Sequence, residues 1–555
     1  MKQTFTLLLI CVAFFSFSCQ DEHNINSNKE PQRTTYNIPD ASPAIQQILQ
    51  ENRIDGVINH LFSIKILKEY YSQRDYKPAW TNIENIEDAL KAFEDLYDDG
   101  LNPEDYHLTI LRKMNQTFVS EQDIDSLEFA KFDVLLSESY IKAASHLISG
   151  KVNPESLEQA WEVEPENYKL VIPNPIKSFE TALSDHKTYE LIDKLKPTHY
   201  MYTGLKKALK EFRSYKEKDD WDSIPDGETI KPGTKSSRVV AVRARLMASQ
   251  EMEAYIPVND SVYDSVLSVN IAHFQKKYGI DVDGNVGKQT LYELNIPLDY
   301  RIEQIKANLE RARWVLYNIE DKFIAVNIAG FELYIIENGK EVLTSRVIVG
   351  KEHTKSPIFK AHMQYVVINP TWTVPRSLYP GYINKLKHTP DYFAKKNMEI
   401  ITKDGQHVDI ASTDWSKYNI HNFPYMIRQK SGSNNALGYI KCMFPNKHSV
   451  YIHDTPSRSL FNKDTRAFSH GCIRTQKIRD VALWLLELNN DDWSKDRIND
   501  IIKQQKTTTI NLKEKVPVLI LYWTAGIGFH DNFYFKPDIY KRDKVLIDAL
   551  NTIID

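Results

Sequence analysis

The sequence predicts a multidomain α+β protein with a helical N-terminal region, a small helical unit and a β-rich C-terminal domain. Its 555 residues are too many for one folding unit, because single domains usually span about 100 to 200 residues. Across residues 45–218 the apolar side chains recur every three or four positions, which is the period of amphipathic helices. After Tyr317 that period falls to two, which is typical of strands with one buried face.

The overall composition is that of an ordinary globular protein, with 42% hydrophobic and 26% charged residues. The counts of 19 glycines and 24 prolines are too low for a collagen-like or low-complexity chain. Lys and Arg number 70 against 74 Asp and Glu, which gives a formal net charge of -4. A phosphate backbone favours a basic partner, so we expect no nucleic-acid partner.

The N-terminus has the pattern of an export signal. Met1-Lys2 precedes an apolar run over residues 7–17, which is too short to span a bilayer but suits a signal peptide. Ser18-Cys19 after this run resembles the lipobox of bacterial lipoproteins, although the residues before it depart from the usual pattern. We predict a signal peptide over 1–18, then a lipidated Cys19 and a flexible tether over 19–40, with simple cleavage as the alternative. The expected location is the periplasm, either soluble or as an outer-membrane lipoprotein.

Residues 41–218 are predicted to form an α-helical scaffold domain. Gly100 with Pro103, and Gly150 with Pro154, end helices in the same way. No arrangement of nucleophiles or metal ligands is visible there, so we expect a structural role. A linker rich in Pro and Gly follows over 219–235.

Residues 236–297 resemble the short three-helix peptidoglycan-binding domain. The resemblance rests on Phe274-Gln275, Gly279-Ile280, Asp283-Gly284, Gly287 and Thr290-Leu291. It implies affinity for cell-wall polymer without naming the contacting residues, since Phe274 and Leu291 are expected in the core and Asp283 can cap a turn. A connecting helix is predicted over 298–320.

Residues 321–535 are predicted to form the β-rich domain. Strand-like runs occur at 323–329, 332–336, 345–349, 365–368, 449–452 and 518–523. Between about 376 and 437 the sequence becomes polar and irregular, as expected of an inserted flap over a site. We expect residues 536–555 to be a C-terminal tail.

One cysteine has the neighbours of a nucleophile. Cys472 stands in Ser469-His470-Gly471-Cys472-Ile473-Arg474, and His453 lies about twenty residues upstream on a predicted strand. A thiol needs a base to become a thiolate, so these two residues can form a nucleophile pair. Gly471 permits an unusual backbone turn, and the amides near Gly471 and Cys472 are candidate donors to an oxyanion.

The same segment resembles the catalytic domain of L,D-transpeptidases. The resemblance extends to the large subfamily that carries a helical scaffold, a peptidoglycan-binding domain and a capping insertion. It rests on His453 with the Ser-His-Gly-Cys motif, and on Asn369-Pro370-Thr371-Trp372-Thr373-Val374-Pro375, Asn435-Ala436-Leu437-Gly438, Met443-Phe444-Pro445 and Tyr522-Trp523-Thr524-Ala525. The implied fold of this domain is β-sandwich-like.

The resemblance implies a cysteine acyltransferase that forms 3-3 cross-links between peptidoglycan stem peptides. Cys472 is then the nucleophile that releases the terminal D-alanine and forms a thioester, and His453 is the proton donor and acceptor. The implied partners are stem peptides, glycan and carbapenem-type β-lactams, which would acylate Cys472. No metal or organic cofactor is expected.

Other residues near the motif are assigned less specific roles. Ser469 and His470 are expected to shape the loop or the pocket, and Trp372 and Tyr451 either contact substrate or belong to the core. Arg474 is expected to pair with a carboxylate of the fold or of the substrate. Asp454 follows His453 directly and so points to the other face of a strand, which leaves a backbone carbonyl as the expected partner of the imidazole.

Three alternative functions are consistent with the same residues. His453, His470 and Cys472 with Cys442 could form a zinc site, although no paired ligand motif is present. The thioester could react with water, which would make the protein an L,D-carboxypeptidase. A non-catalytic wall anchor is the third alternative, and it leaves the Cys472 and His453 pair unexplained.

Overall fold

A computed structural model describes residues 38, 40–120, 123–157, 161–162, 174–217, 221–317, 319–489, 492–528 and 532–552. The predicted signal peptide, Cys19 and almost all of the tether lie outside these residues. The α-helices are Ser42–Glu51, Ile64–Ser72, Ile83–Asp95, Leu108–Ser120, Ser126–Ser149, Pro154–Leu157, Pro175–Ser184, Thr188–Lys194, Tyr200–Lys216, Ser237–Ala248, Ser265–Lys277, Lys288–Leu294, Leu298–Val315, Tyr379–His388, Asp391–Lys395, Ile478–Glu487, Lys495–Lys503 and Arg542–Asn551.

The strands follow the second helical unit, apart from one short early strand. They are β1 Trp161–Glu162, β2 Lys322–Asn327, β3 Glu332–Glu337, β4 Lys340–Gly350, β5 Ile358–Ile368, β6 Trp372–Thr373, β7 Met398–Ile401, β8 His407–Val408, β9 Met426–Gln429, β10 Ile440–Met443, β11 Ile452–His453, β12 Ala467–Ser469, β13 Ile473–Thr475, β14 Thr508–Leu521, β15 Ala525–Ile527 and β16 Phe533–Phe535. The predicted α+β organisation is confirmed.

The N-terminal helices enclose one aromatic-rich core, as the three- and four-residue spacing predicts. Trp80, Tyr70 and Tyr71 are among its largest fully buried side chains. The buried carboxylate of Asp133 accepts hydrogen bonds from the backbone N–H groups of Ala79 and Trp80, at 2.8 Å each, and from the Tyr71 hydroxyl. A buried carboxylate is costly unless its oxygens are occupied, so Asp133 fixes the chain entering the third helix of this region.

The helix Leu298–Val315 connects the helical regions to the β-rich domain. It packs against the helices Ser126–Ser149, Tyr200–Lys216 and Arg542–Asn551. Within it, Arg313 pairs with Glu310 at 2.6 Å and donates to the carbonyl of Asp99 at 2.9 Å, and all three side chains are fully buried. The buried charges of Arg313 and Glu310 are therefore paired, and the contact with the Asp99 backbone fixes the helix against the scaffold region.

The small helical unit contains the three expected helices over 237–294. Phe274 and Leu291 are buried, as predicted. The side-chain amide of Gln275 donates to Asp283 at 2.8 Å, and its oxygen accepts from the N–H of Gly284 at 2.8 Å. Asp283 also accepts from the N–H of Asn285, so its carboxylate caps the turn.

The strands of the C-terminal domain close into a ring. Neighbouring strands follow the order β5-β10-β11-β13-β4-β3-β2-β14, and β14 pairs again with β5. Apolar side chains of these strands form the core inside the ring, together with the helix Ile478–Glu487. The strand run predicted at 449–452 is shorter than expected, because Ser449 has a left-handed φ of 56° and pairing begins at Ile452.

The inserted segment forms a small unit with its own core. Its strands pair in the order β6-β9-β7-β8, beside the helices Tyr379–His388 and Asp391–Lys395. Phe393, Trp415 and Ile427 are buried in a cluster separate from the other cores. The sequence prediction of an irregular flap therefore underestimated its order, because its few apolar residues are dispersed among polar ones.

The prediction of a C-terminal tail over 536–555 is wrong for its central part, which forms a helix docked on the domain. Leu546 and Leu550 of Arg542–Asn551 are buried in the core of the strand ring. Asp543 is fully buried and pairs with Arg311 of the connecting helix at 2.7 Å. This ion pair and the apolar contacts hold the segment in place, which its polar composition did not indicate.

Candidate active site

Three adjacent strands place the predicted nucleophile pair on one face of the sheet. β10 pairs antiparallel with β11, with Lys441 opposite His453. β11 pairs parallel with β13, with His453 opposite Arg474. Cys472 immediately precedes β13 and is two residues from Arg474, so its side chain shares that face. The sequence-predicted Cys472, His453 and Arg474 therefore lie together.

The opposite face of the same strands belongs to the core. Ile452, Ile473 and Cys442 are fully buried there among apolar side chains. Burial raises the pKa of the Cys442 thiol to about 12. Because Cys442 and Lys441 are consecutive in a strand, they point in opposite directions, and Cys442 is directed away from Cys472.

The imidazole of His453 is buried and held by the backbone. Its Nδ1 lies 2.6 Å from the carbonyl oxygen of Asp454. A carbonyl can only accept, so Nδ1 carries the proton and Nε2 is left as the basic nitrogen. Burial, then the positive charges of Arg474 and Lys441, lower the pKa of His453 to about 3 although the carbonyl contact opposes this. The imidazole is therefore neutral at ordinary pH.

Asp454 does not orient the imidazole through its carboxylate. Its side chain accepts a hydrogen bond from the N–H of Tyr439 at 3.1 Å and from Arg458 at 2.9 Å. The backbone carbonyl is the imidazole's partner, as the strand geometry predicts. Gly438 has a φ of +59° and lies so close to Asp454 that a Cβ there would be 2.4 Å from its carboxylate oxygen. Both the backbone conformation and this close approach favour glycine.

Cys472 is half-buried, and its sulfur has neighbours that favour its ionised form. Its thiol lies 3.8 Å from the carbonyl oxygen of Ser449. Burial raises the pKa of Cys472 above its ordinary value, while hydrogen bonding to Tyr451 and the charges of Lys441 and Arg474 act in the opposite direction. The resting group is therefore a thiol whose ionised form is stabilised by its neighbours.

Ser469 and Gly471 shape the loop before the nucleophile. The Ser469 hydroxyl donates to the carbonyl of Cys472 at 2.7 Å and accepts from the N–H of Gly471 at 3.1 Å. Ser356 donates to the carbonyl of Gly471 at 2.8 Å, and Gly471 adopts a φ of +112° that favours glycine. This loop is built around the Cys472 backbone.

The hydrogen bond to Ser469 corrects the expected oxyanion donors. The N–H of Gly471 is already occupied and buried, so it is not directed at a substrate oxygen. The N–H of Cys472, in contrast, donates to no residue in the part of the chain that the structure describes. The backbone amide that is available to an oxyanion is thus the nucleophile's own.

Tyr451 and Trp372 link the inserted segment to the nucleophile. The ring of Tyr451 lies 5.4 Å from that of His453, and Tyr451 interacts with both Cys472 and Trp372. Trp372 belongs to β6, which pairs with β9 of the insertion. Both side chains are only half-buried, so they border the site instead of filling the core. Burial raises the pKa of Tyr451, so its hydroxyl remains protonated and can donate.

Arg474 forms no ion pair with the described residues, while His470 lies at the edge of the site. Neither hydrogen bonds nor ion pairs join Arg474 to any described carboxylate, and its buried Nε has no partner. Arg474 was expected to pair with a carboxylate of the fold or of the substrate. The first of these is not found among the described residues. The side chain of His470 is exposed to solvent, next to the loop that ends at Cys472.

Lys441 is a site residue that sequence reasoning missed. Its ammonium lies 3.9 Å from the centroid of the Tyr451 ring. Burial lowers the pKa of Lys441, and the nearby Cys472 opposes that shift. A lysine between Ile440 and Cys442 in a buried strand was the available signal, because charged residues are rarely buried without a reason.

Neither a metal cluster nor a membrane-spanning helix is found in the described part of the chain. No three His, Cys, Asp or Glu side chains there gather in metal-binding geometry. Because Cys442 faces the core, the four residues of the zinc alternative do not converge. None of the described helices is long and apolar enough to cross a bilayer.

Three family profiles match successive parts of the chain. They are "Scaffold domain" over residues 65–209, "Putative peptidoglycan binding domain" over 235–294 and "L,D-transpeptidase catalytic domain" over 321–520. A curated relative named "Putative L,D-transpeptidase", from Haemophilus influenzae, is 37% identical over 222 residues. That match covers 40% of this chain and 44% of the relative, less than half of the relative's length.

Solved structures of L,D-transpeptidases are also similar to this chain. One from Stackebrandtia nassauensis is 14% identical with a TM-score of 0.21, covering 54% of this chain and 97% of that structure. Another, from Xylanimonas cellulosilytica, is 14% identical with a TM-score of 0.16, covering 54% and 99%. The family models define the likeness: residues 321–520 match the L,D-transpeptidase catalytic domain, and matches to a scaffold domain and a peptidoglycan-binding domain precede them in the same chain.

Proposed function

We propose that this chain cross-links peptidoglycan stem peptides as an L,D-transpeptidase, through a thioester on Cys472. One observation carries the proposal: Cys472 and His453 share one face of the sheet with the cations of Lys441 and Arg474. Neither cation has a carboxylate partner among the described residues, and the domain resembles this family. A neutral imidazole and a thiol on adjacent strands can exchange a proton. The family and the peptidoglycan-binding domain supply the substrate class and indicate an extracytoplasmic location.

The acylation step begins with proton transfer from the thiol to Nε2 of His453. The sulfur attacks the carbonyl of the third stem residue, and the N–H of Cys472 donates to the oxyanion. His453 returns the proton to the departing nitrogen, the C–N bond breaks, and D-alanine leaves with the thioester formed. Arg474 and Lys441 stabilise the anionic sulfur and oxygen by their charge.

The second step reverses these proton movements. The acceptor amine of a neighbouring stem attacks the thioester carbonyl, His453 takes its proton, and the C–S bond breaks. The Cys472 sulfur then regains the proton from His453, and a 3-3 cross-link remains. If water takes the place of the amine, the product is a free tripeptide, which is the L,D-carboxypeptidase reaction.

Trp372 and Tyr451 are proposed to line the groove for the acyl donor. Trp372 lies on β6, which pairs with the insertion, and Tyr451 adjoins β11 of the catalytic sheet. We also propose that Arg474 binds a substrate carboxylate, because no described carboxylate of the protein occupies it. By family resemblance, carbapenem-type β-lactams should acylate Cys472. Lipidation of Cys19 would tether this chain to a membrane near its substrate.

Product analysis distinguishes the candidate functions. The full chain is incubated with a disaccharide tetrapeptide, and the products are identified by mass. A cross-linked dimer supports transfer, a tripeptide supports hydrolysis, and neither product supports a non-catalytic anchor. The Cys472→Ala variant should form neither product while keeping its thermal stability, since its backbone and His453 are unchanged. Dimer formation by that variant would refute the thioester mechanism.

A further inference from the structure

The charge balance around Cys472 lacks the usual partner of a thiolate. In a cysteine–histidine pair, an imidazolium commonly stabilises the thiolate. Here burial and the neighbouring cations lower the pKa of His453 to about 3, so the imidazole is neutral while the enzyme rests. A resting thiolate is therefore stabilised by other groups, namely hydrogen bonds from Tyr451 and then the charges of Lys441 and Arg474.

The charged and titratable groups around the sulfur can be identified element by element. They are Lys441 on β10, Tyr451 and His453 at β11, Arg474 on β13 and His470 in the loop, with Lys351 and His353 beyond His470. Carboxylates are missing from this set within the described residues. The field at Cys472 is thus positive, and the charges that lower its pKa are those of Lys441 and Arg474.

Lys441 is held in a defined position relative to the sulfur. Register places it opposite His453, and its ammonium lies against the face of the Tyr451 ring at 3.9 Å. Tyr451 in turn hydrogen-bonds Cys472. A cation on the face of a phenol ring withdraws electron density, which makes the hydroxyl a stronger donor. Lys441 can therefore act on the sulfur both through space and through Tyr451.

We propose that Lys441 is a positioning residue that supplies the fixed positive charge for the Cys472 thiolate, seated on the ring of Tyr451. This role rests on the proposed function only in taking Cys472 as the nucleophile. Removal of the charge should make the thiolate harder to form without displacing the cysteine. Arginine at the same position keeps the charge and should preserve much of the effect.

The test measures thiol ionisation directly and needs no peptidoglycan. Full-length wild type, Lys441→Met, Lys441→Arg and Lys463→Met are alkylated with iodoacetamide across a pH series. Mass spectrometry of the peptide that contains Cys472 gives the rate and separates it from Cys442. Lys463 is an exposed lysine of the same domain and serves as the matched control.

Below the thiol pKa, Lys441→Met should be alkylated about tenfold more slowly than wild type, with its pH profile shifted upward by about one unit. Lys441→Arg and Lys463→Met should stay within about threefold of wild type. An unchanged profile in Lys441→Met, or equal shifts in the Met and Arg variants, would overturn the proposal. Thermal melting of each variant checks that the fold is intact.

Two further results separate this inference from the proposed reaction. If Lys441→Met shifts the alkylation profile but the wild type forms no cross-linked or hydrolysed product, the charge role stands and the proposed function fails. If the alkylation profile is unchanged while the KM for tetrapeptide rises, Lys441 binds a substrate carboxylate and the thiolate role is refuted.

Discussion

Acidification should lower the stability of strands β10, β11 and β13, because His453 resists protonation in the folded protein. Burial and the charge of Arg474 lower its pKa from 6.5 to about 3. Between these values the unfolded chain binds a proton that the folded site does not, so stability falls as the pH drops below 6.5. The difference at pH 5 is about 2 kcal/mol of folded-state stability.

Amide hydrogen exchange in β10, β11 and β13 measures this loss where it occurs. Opening free energies are compared at pH 7.5 and pH 5 for the wild type and for His453→Gln, which has no titrating group at this position. From pH 7.5 to pH 5 the opening free energy should fall by about 2 kcal/mol more in the wild type than in the variant. Burial also lowers the pKa of His146. Because His146 is present in both proteins, its contribution cancels in the comparison. Equal losses in the two proteins would refute the reasoning.

Three other changes test the loop and the domain junction. Ser469→Ala removes both hydrogen bonds to the Gly471–Cys472 backbone and should lower kcat about tenfold with smaller changes in KM, whereas an unaltered kcat would contradict the loop's role. In Gly471→Ala the new Cβ would meet only an ordinary contact at 3.8 Å, so a loss of about 1 to 2 kcal/mol in thermal unfolding should come from the φ of residue 471 alone. Gly150→Ala would place a Cβ 2.4 Å from the Trp314 ring nitrogen and should cost about 3 kcal/mol in the same assay. Gly405→Ala, with a similar φ and no neighbour within 4 Å, is its control, and equal losses would argue against the clash.

The order of the structural units could be predicted from the sequence because each has its own local pattern. Periods of three or four residues marked the helices, and alternation marked the strands. The insertion was harder to predict, since Phe393, Trp415 and Ile427 are far apart in the sequence and form a core only when the chain folds back. The terminal helix was missed because its burial depends on Asp543 meeting Arg311.

The sequence by itself determined which residues could react: a cysteine after a glycine, a histidine upstream and a loop serine between them. Tertiary structure alone decided their environment. Strand register set Lys441 beside His453, and the turn at Gly471 committed its amide to Ser469 and left that of Cys472 available. Reactivity depends on charges and donors brought together across strands, and those contacts have no local signature in the chain.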